Sequence, residues 1–398
     1  MFASSRFQDR PMTAKDRNDR AALRASIDTV DREILRLLSD RRRLGEALGA
    51  LKAGEVSPVR DIERERAVID RAIMTGEGLG LDARFVEALF QLIIDDSLRR
   101  QRAGLDARAG DRMLTEARVA YLGGPGSYSH FAAHNHFSGR YSGVVPVIER
   151  DYASVFRTVE DGAADYGFLP IENTATGGIV EVYDLLRETR LKIAGEHHQR
   201  IEHALLGKAT DIGAVRTIYG HAQALRQAQN WLGARSDIRK VPVSSTTRAL
   251  ERALDEGPTA AAVAGPEAGG LFGLNVIEPS ISDVVGNETR FVALALDPAP
   301  ASPLLPCKTS LVFVTADEAG SLMTALDGFR TEGVNLTKLE SRPVPGAPWE
   351  QLFFLDLEGH EDDDGVARAL KHLERAAKTV RRLGSYGSDR LKPASREA

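Results

Sequence analysis

The chain has 398 residues, 42% hydrophobic and 27% charged, the balance of a soluble globular protein long enough for two to four domains. A net charge of -5 argues against nucleic-acid binding, and the single cysteine, Cys307, excludes intrachain disulfides and a thiolate metal site and suits a reducing cytoplasm. No apolar run reaches membrane-spanning length, and nothing in the composition calls for a metal or a cofactor.

Residues 1–18 are polar and arginine-bearing and read as a disordered leader. Small-residue and proline-rich seams near 103–110 and 297–303 divide the rest. They leave a helical domain over 19–105, an α/β domain over 116–297, a linker over 298–307 and a C-terminal domain over 308–390.

In the helical domain, Leu23, Ile27, Val30, Ile34, Leu37, Leu44, Leu48 and Leu51 recur at helical spacing from about Arg20 to Ala53. Such a helix spans about 50 Å, more than a compact three-helix monomer needs. Further helices are predicted from about Val59 past Ile73 and from about Asp82 to Arg102. Arg41 and Lys52 are eleven residues apart and share a face, whereas Arg24 lies seventeen residues before Arg41, about 25 Å along the axis. Arg24 therefore reaches the same small ligand only from an antiparallel partner chain. Asp61, Arg64 and Glu65 share a second face, and Ser97 and Gln101 a third.

In the α/β domain, strands alternate with helices. Arg118–Leu122 runs into Gly123-Gly124-Pro125-Gly126-Ser127-Tyr128-Ser129, whose spacing does not fit a dinucleotide fingerprint and reads instead as a nest and cap for a carboxylate. The apolar run from Tyr166 ends at Pro170 and exposes Glu172, Asn173 and Thr174 before a helical pattern. Val215–Tyr219 precedes a helix over 222–232; Val241–Val243 precedes Ser245-Thr246-Thr247 and a helix; Ala260–Ala264 and Thr289–Leu296 are further strands. Hydroxyls at strand ends followed by helices are what a cleft between two α/β lobes looks like, with helix N-termini aimed at an anion. From Thr309 the predicted order is strand, helix, two strands, helix and a short strand, the ferredoxin-like α+β pattern.

Taken together these residues resemble a known architecture. Leu23-Arg24, Ile27, Asp31, Arg41-Arg42, Lys52, Pro58 to Glu65 and Leu92 to Ser97 are similar to the all-helical chorismate mutase domain, a helix-swapped dimer. The Gly-Ser-Tyr-Ser turn, Pro170 to Thr174, His221 with Gln223, Ser245 to Thr247 and Asn287 to Phe291 resemble prephenate dehydratase, built on a two-lobed fold like the periplasmic binding proteins. The chain departs from that family at Gly126, commonly basic, and at Gly220 and Ala222, where Ser-His-Pro-Gln is usual. Gly320-Ser321-Leu322-Met323 and Glu340-Ser341-Arg342-Pro343 resemble the ACT domain attached to these dehydratases, an L-phenylalanine site at a dimer interface.

The resemblance implies a bifunctional isomerase and lyase of L-phenylalanine biosynthesis, feedback-inhibited by L-phenylalanine, without cofactor, working as a homodimer or larger homo-oligomer. For the mutase it implies that Arg24, Arg41 and Arg64 clamp two carboxylates, Lys52 and Gln101 donate to the breaking ether oxygen, and Asp61 and Glu65 fix the ring hydroxyl, with Ser97 also in the pocket. For the dehydratase it implies Thr289 as proton donor, polarised by Asn173, Glu172 or Arg290. It places Ser127, Thr174, His221, Gln223, Ser245, Thr246 and Phe291 around prephenate. Two other readings stay open: a dehydratase whose mutase part is only a scaffold, and a non-catalytic sensor of an aromatic acid.

Overall fold

The computed structural model of the protein describes residues 14–52, 62–87, 89–90, 93–94, 97, 116–138, 140–298, 301, 306–344 and 347–389. At the N-terminus one helix, Ala14–Lys52, runs 39 residues, about 58 Å at 1.5 Å per residue. It begins inside the stretch read as a leader, so residues 14–18 are helix instead. Leu23, Ile27, Val30, Ile34, Leu37 and Leu44 on it are all at least half exposed. A second helix, Ile62–Gly78, and the helical residues after Asp82 bury a small cluster of Ile69, Ile73, Val86 and Ile94. Among the described residues, that cluster leaves most of the long helix's apolar stripe without cover.

The central domain has two sheets. The first holds β1 (Ala117–Leu122), β2 (Val144–Glu149), β3 (Tyr166–Asn173), β5 (Lys192–Arg200) and β11 (Glu288–Ala295) in the order β2-β1-β3-β11-β5, with the two-residue β4 (Gly177–Gly178) beside β3. The second holds β6 (Ala204–Gly207), β7 (Thr217–His221), β8 (Arg239–Val243), β9 (Ala260–Ala264) and β10 (Asn275–Glu278) in the order β10-β6-β9-β7-β8. The chain leaves the first lobe after β5 and returns through β11. The two crossings are tied together: Ile201 N donates to Asn287 O at 2.9 Å, and Ile281 N donates to His203 O at 2.9 Å. β11 is antiparallel to both neighbours, so it delivers its first residues to the same sheet end at which β1 and β3 finish.

Sequence and structure part company in several places. The single helix expected over 222–232 is two short ones, Ala222–Gln227 and Gln229–Gly233. The final strand is long, Thr379–Gly387. β5, β6 and β10 were not anticipated; β5 reads Lys-Ile-Ala-Gly-Glu-His-His-Gln-Arg, and its polar residues give no apolar alternation.

The C-terminal sheet has the order β13-β14-β12-β15, formed by β12 (Cys307–Val314), β13 (Leu336–Val344), β14 (Ala347–Glu358) and β15 (Thr379–Gly387). Helices Ser321–Thr331 and Asp364–Ala376 cover one face, over Leu311, Phe313, Leu355 and Leu357. Its other face packs on the first lobe. Val312, Leu352, Phe354, Leu383 and Tyr386 share one core with Ile171, Val182, Ile193, Val292 and Leu294. At Gly384, φ +145°, a Cβ would lie 2.5 Å from the Ile193 carbonyl, so only glycine lets β15 come this close to β5. The linker thus joins two units that share one core, while the C-terminal sheet keeps another of its own beneath its helices.

A shared core unfolds as a unit. Phe354 is 4% exposed and its ring sits 4.7 Å from that of Tyr183. Phe354→Ala is expected to cost about 3–5 kcal/mol and to lower the stability of both units in one urea transition. Two separable transitions would contradict this.

Candidate active sites

Within the helical domain the structure joins two of the expected pocket residues. Arg41 Nη1 donates to Ser97 Oγ at 2.8 Å across a helix–helix contact, and Ser97 Oγ donates to Ile93 O, one turn back, at 3.0 Å. Arg24 and Arg64 are exposed. The side chains of Lys52 and Glu65, and all of Asp61 and Gln101, lie outside the described residues.

The central domain gathers a tighter set. Thr289 stands opposite Asn173 in the β11–β3 register, so both side chains share one face of the sheet. Both residues are 8% exposed. Asn173 Oδ1 accepts from Ala175 N at 2.9 Å and Thr176 N at 3.1 Å, a local turn that fixes which end of the amide is which. Its Nδ2 is therefore turned to Asn287 Oδ1 at 2.8 Å, Thr289 Oγ1 at 2.9 Å and Glu288 O at 3.1 Å. Thr174 locks the two segments together: its Oγ1 accepts from Glu288 N and its N donates to Glu288 O, both at 2.9 Å. Because the Thr289 hydroxyl accepts the Asn173 proton, its own proton remains to be given elsewhere.

Three helix starts carry other expected residues. Ser127 caps Tyr128–Phe137, accepting from His130 N at 3.2 Å. Ser245 caps Thr246–Glu256, accepting from Arg248 N at 3.1 Å. His221 Nδ1 accepts from Gln223 N at 3.4 Å; burial, then the charge of Arg226, pull its pKa below the ordinary value, which keeps Nδ1 free to accept. Thr246 opens the capped helix and is half-buried, as is Gln223.

The glycine-rich turn is not the open nest expected. Thr247 Oγ1 donates to Pro125 O at 2.9 Å. A Cβ on Gly126, φ +80°, would lie 2.8 Å from both Leu250 and Phe272. These glycines let the first lobe's turn seat against the second lobe, and the Ser127 hydroxyl is spent on its helix.

Three residues expected at the substrate point elsewhere. Strand alternation sends Arg290 and Glu172 to the opposite face from Thr289 and Asn173, toward the C-terminal sheet. Arg290 donates to Glu196 at 2.7 Å, Glu172 at 2.8 Å, Asp356 at 2.6 Å and the Tyr386 hydroxyl at 2.8 Å. Of the three groups named to polarise Thr289, only Asn173 reaches it. Phe291 is a core residue, stacked on Phe168 at 5.2 Å and 3°. The missed partners, Glu196, Lys308, Lys338, Asp356 and Tyr386, sit in strands where a charged residue reads as a solvent-facing position.

In the C-terminal sheet Gly320, φ +86°, precedes helix Ser321–Thr331, where Ser321 Oγ donates to Ala316 O at 2.7 Å. Leu322 packs on the core and Met323 is 74% exposed. Glu340 projects from the face opposite the helices and pairs with Lys338 at 3.1 Å. Arg342 reaches Asp184 of the central domain at 3.5 Å, while Ser341 and Pro343 are exposed.

Fold and site define a two-lobed α/β domain with its polar pair at the strand ends, preceded by a helical domain and followed by a four-stranded sheet. The family profile of prephenate dehydratase matches residues 119–299, and that of chorismate mutase type II matches residues 23–102. The chain is 37% identical over 379 residues to the bifunctional chorismate mutase/prephenate dehydratase of Enterobacter agglomerans, covering 95% of this chain and 98% of that one. Against the Escherichia coli K12 protein of that description it is 38% identical over 378 residues, covering 94% and 98%. Among solved structures, prephenate dehydratase of Arthrobacter aurescens in complex with L-Phe superposes with a TM-score of 0.62 at 28% identity, covering 70% of this chain and 92% of that one. GqqA, described as a novel type of quorum quenching acylase, superposes at 0.61 with 32% identity, covering 68% and 98%. The chain belongs to the family of bifunctional chorismate mutase/prephenate dehydratases. Among the described residues no helix is long and apolar enough to cross a membrane.

The charge cluster behind Thr289 carries a pH signature. Burial alone would raise the Glu172 pKa, but Arg290 and then Lys338 outweigh it and hold it down to about 2. A folded pKa below the unfolded value adds stability above about pH 4.5 that is lost as pH falls toward about 2. Urea midpoints measured across that window should fall less steeply for Glu172→Gln than for the parent; parallel curves would contradict the assignment.

Proposed function

We propose that the chain carries two successive active sites and one effector module in chain order. Family membership gives the activities: an isomerase that rearranges chorismate to prephenate, and a lyase that removes water and CO2 from prephenate to leave phenylpyruvate. Relatives named for both activities over nearly their whole length favour this over a scaffold-only helical domain or a pure sensor.

The rearrangement is unimolecular and needs a clamp more than an acid or base. Arg41, oriented by Ser97, supplies one bidentate carboxylate contact. The exposed apolar stripe of Ala14–Lys52 supports pairing with a second copy, which brings the partner's Arg24 beside Arg41 in a helix-swapped dimer. Arg64 is the second clamp; Lys52 and Gln101 donate where negative charge grows on the ether oxygen, with Asp61 and Glu65 on the ring hydroxyl.

For the dehydration, the observation that carries the reading is the Asn173–Thr289 pair. The Asn173 amide donates to Thr289 Oγ1 and so directs the hydroxyl's proton away from itself, toward the departing ring hydroxyl. The proton moves from Oγ1 to the leaving oxygen, which departs as water when the C–O bond breaks; the electron pair of the breaking C–CO2 bond passes into the ring, aromatisation drives both, and Oγ1 recovers its proton from solvent water. The helix starts capped by Ser127, His221 and Ser245 hold the carboxylates. The C-terminal sheet is an ACT-type module for L-phenylalanine, which feeds back on the dehydratase; the Arthrobacter structure with L-Phe supports this choice of effector.

Thr289→Ala is expected to lower phenylpyruvate formation by about 10²- to 10⁴-fold while chorismate turnover persists; undiminished phenylpyruvate formation would remove Thr289 from the chemistry. Arg41→Ala should give the reverse, a loss of about 10²-fold or more in chorismate turnover with prephenate consumption kept. A coupled assay from chorismate, with and without L-phenylalanine, reads both sites and the feedback, and an unchanged rate would end the effector assignment.

A further inference from the structure

Behind the catalytic pair lies a cluster of charges that the chemistry itself does not use. Arg290 spends Nε on Glu196, Nη1 on Glu172 and Asp356, and Nη2 on the Tyr386 hydroxyl. Lys308 Nζ donates to both oxygens of Glu196, at 2.9 and 2.7 Å. Lys338 Nζ reaches Glu172 at 2.5 Å and Glu340 at 3.1 Å. Ser310 Oγ donates to Asp356 Oδ1 at 2.5 Å and meets the Tyr386 hydroxyl at 2.7 Å. Three strands of the first lobe and all four strands of the C-terminal sheet contribute. Arg290 and Glu172 are the immediate neighbours of Thr289 and Asn173, on the other face of the same strands.

We propose that Asp356, Tyr386 and Lys338 of the C-terminal sheet are positioning residues for dehydration: they hold Arg290 and Glu172, and through those two strands set the distance and angle between Asn173 and Thr289. This rests on the assignment of Thr289 as proton donor. Arg290 side-chain exposure is only 4%, so the guanidinium has no solvent to turn to if the sheet shifts, and β11 must follow it. The rim is softer. Lys338 is shared between Glu172 and Glu340, so an ammonium ligand that draws on Glu340 changes Lys338's hold on Glu172. That gives L-phenylalanine a route of three side chains, Glu340 to Lys338 to Glu172, to the residue beside Asn173.

Full-length Asp356→Asn, which keeps shape and drops charge, should lower dehydratase kcat about 10-fold or more, with prephenate KM within about threefold, since small misplacements of catalytic groups cost rate. Chorismate turnover is unaffected and reports a folded chain. In a Thr289→Ala background the same substitution should change the residual rate by less than about twofold, because no hydroxyl remains to be placed. Additive losses, or a raised KM with kcat kept, would overturn the proposal. Should Asp356→Asn not fold, Lys338→Met at the rim replaces it, read by the same cycle. Lys338→Met should also remain active at L-phenylalanine concentrations that inhibit the parent, and inhibition equal to the parent's would refute the route through Lys338. An active Thr289→Ala would instead fail the donor assignment, and a parent indifferent to L-phenylalanine the effector assignment.

Discussion

One buried guanidinium ties the two halves of this molecule together. Arg290 leaves β11 on the face away from Thr289 and meets carboxylates from β3, β5 and the C-terminal sheet. Charges taken out of water are tolerated only when fully paired, and removal of one partner from such a group typically costs about 3–5 kcal/mol. Four carboxylates, Glu172, Glu196, Asp356 and Glu340, surround three cations, Arg290, Lys308 and Lys338. The pairing explains why strands as far apart in sequence as β3 and β15 must keep one relative position. Around it, apolar residues of the first lobe and of the C-terminal sheet share one core.

On the other face the same strands present the Asn173–Thr289 pair. Strand alternation is what makes this possible: consecutive residues 289 and 290 serve opposite sides, one polar pair toward the cleft, one ion toward the C-terminal sheet. The second lobe joins through other means, a two-strand crossing and the seam at Gly124 and Gly126 against Thr247 and Leu250. The helical domain differs again, since its long helix exposes an apolar stripe among the described residues.

Much of this was legible in the amino-acid sequence. The helix carrying Arg41, the Asn173 turn, the strand read from Thr289 and the strand–helix order of the C-terminal domain all announced themselves through periodicity or motif. The family was legible too, because its motifs fall in order along the chain. What stayed hidden has a common cause. Glu196, Lys308, Lys338 and Asp356 are charged residues within strands, and a single sequence gives no sign that another charge will bury them. Arg290 and Glu172 were assigned to the substrate because they adjoin Thr289 and Asn173; one step along a strand reverses the face. The glycine-rich turn was read as an anion nest because its glycines alone do not reveal the second lobe pressing on them.

Native-state hydrogen exchange in low urea tests the central claim most directly, because it reports the opening free energy of each strand separately. If Arg290 binds the catalytic strand to the C-terminal sheet, amides of β11, β3, β12 and β14 exchange through one common opening with the same free energy and urea dependence. A C-terminal sheet that opens at lower free energy, leaving the amides of β11 protected, would contradict the account.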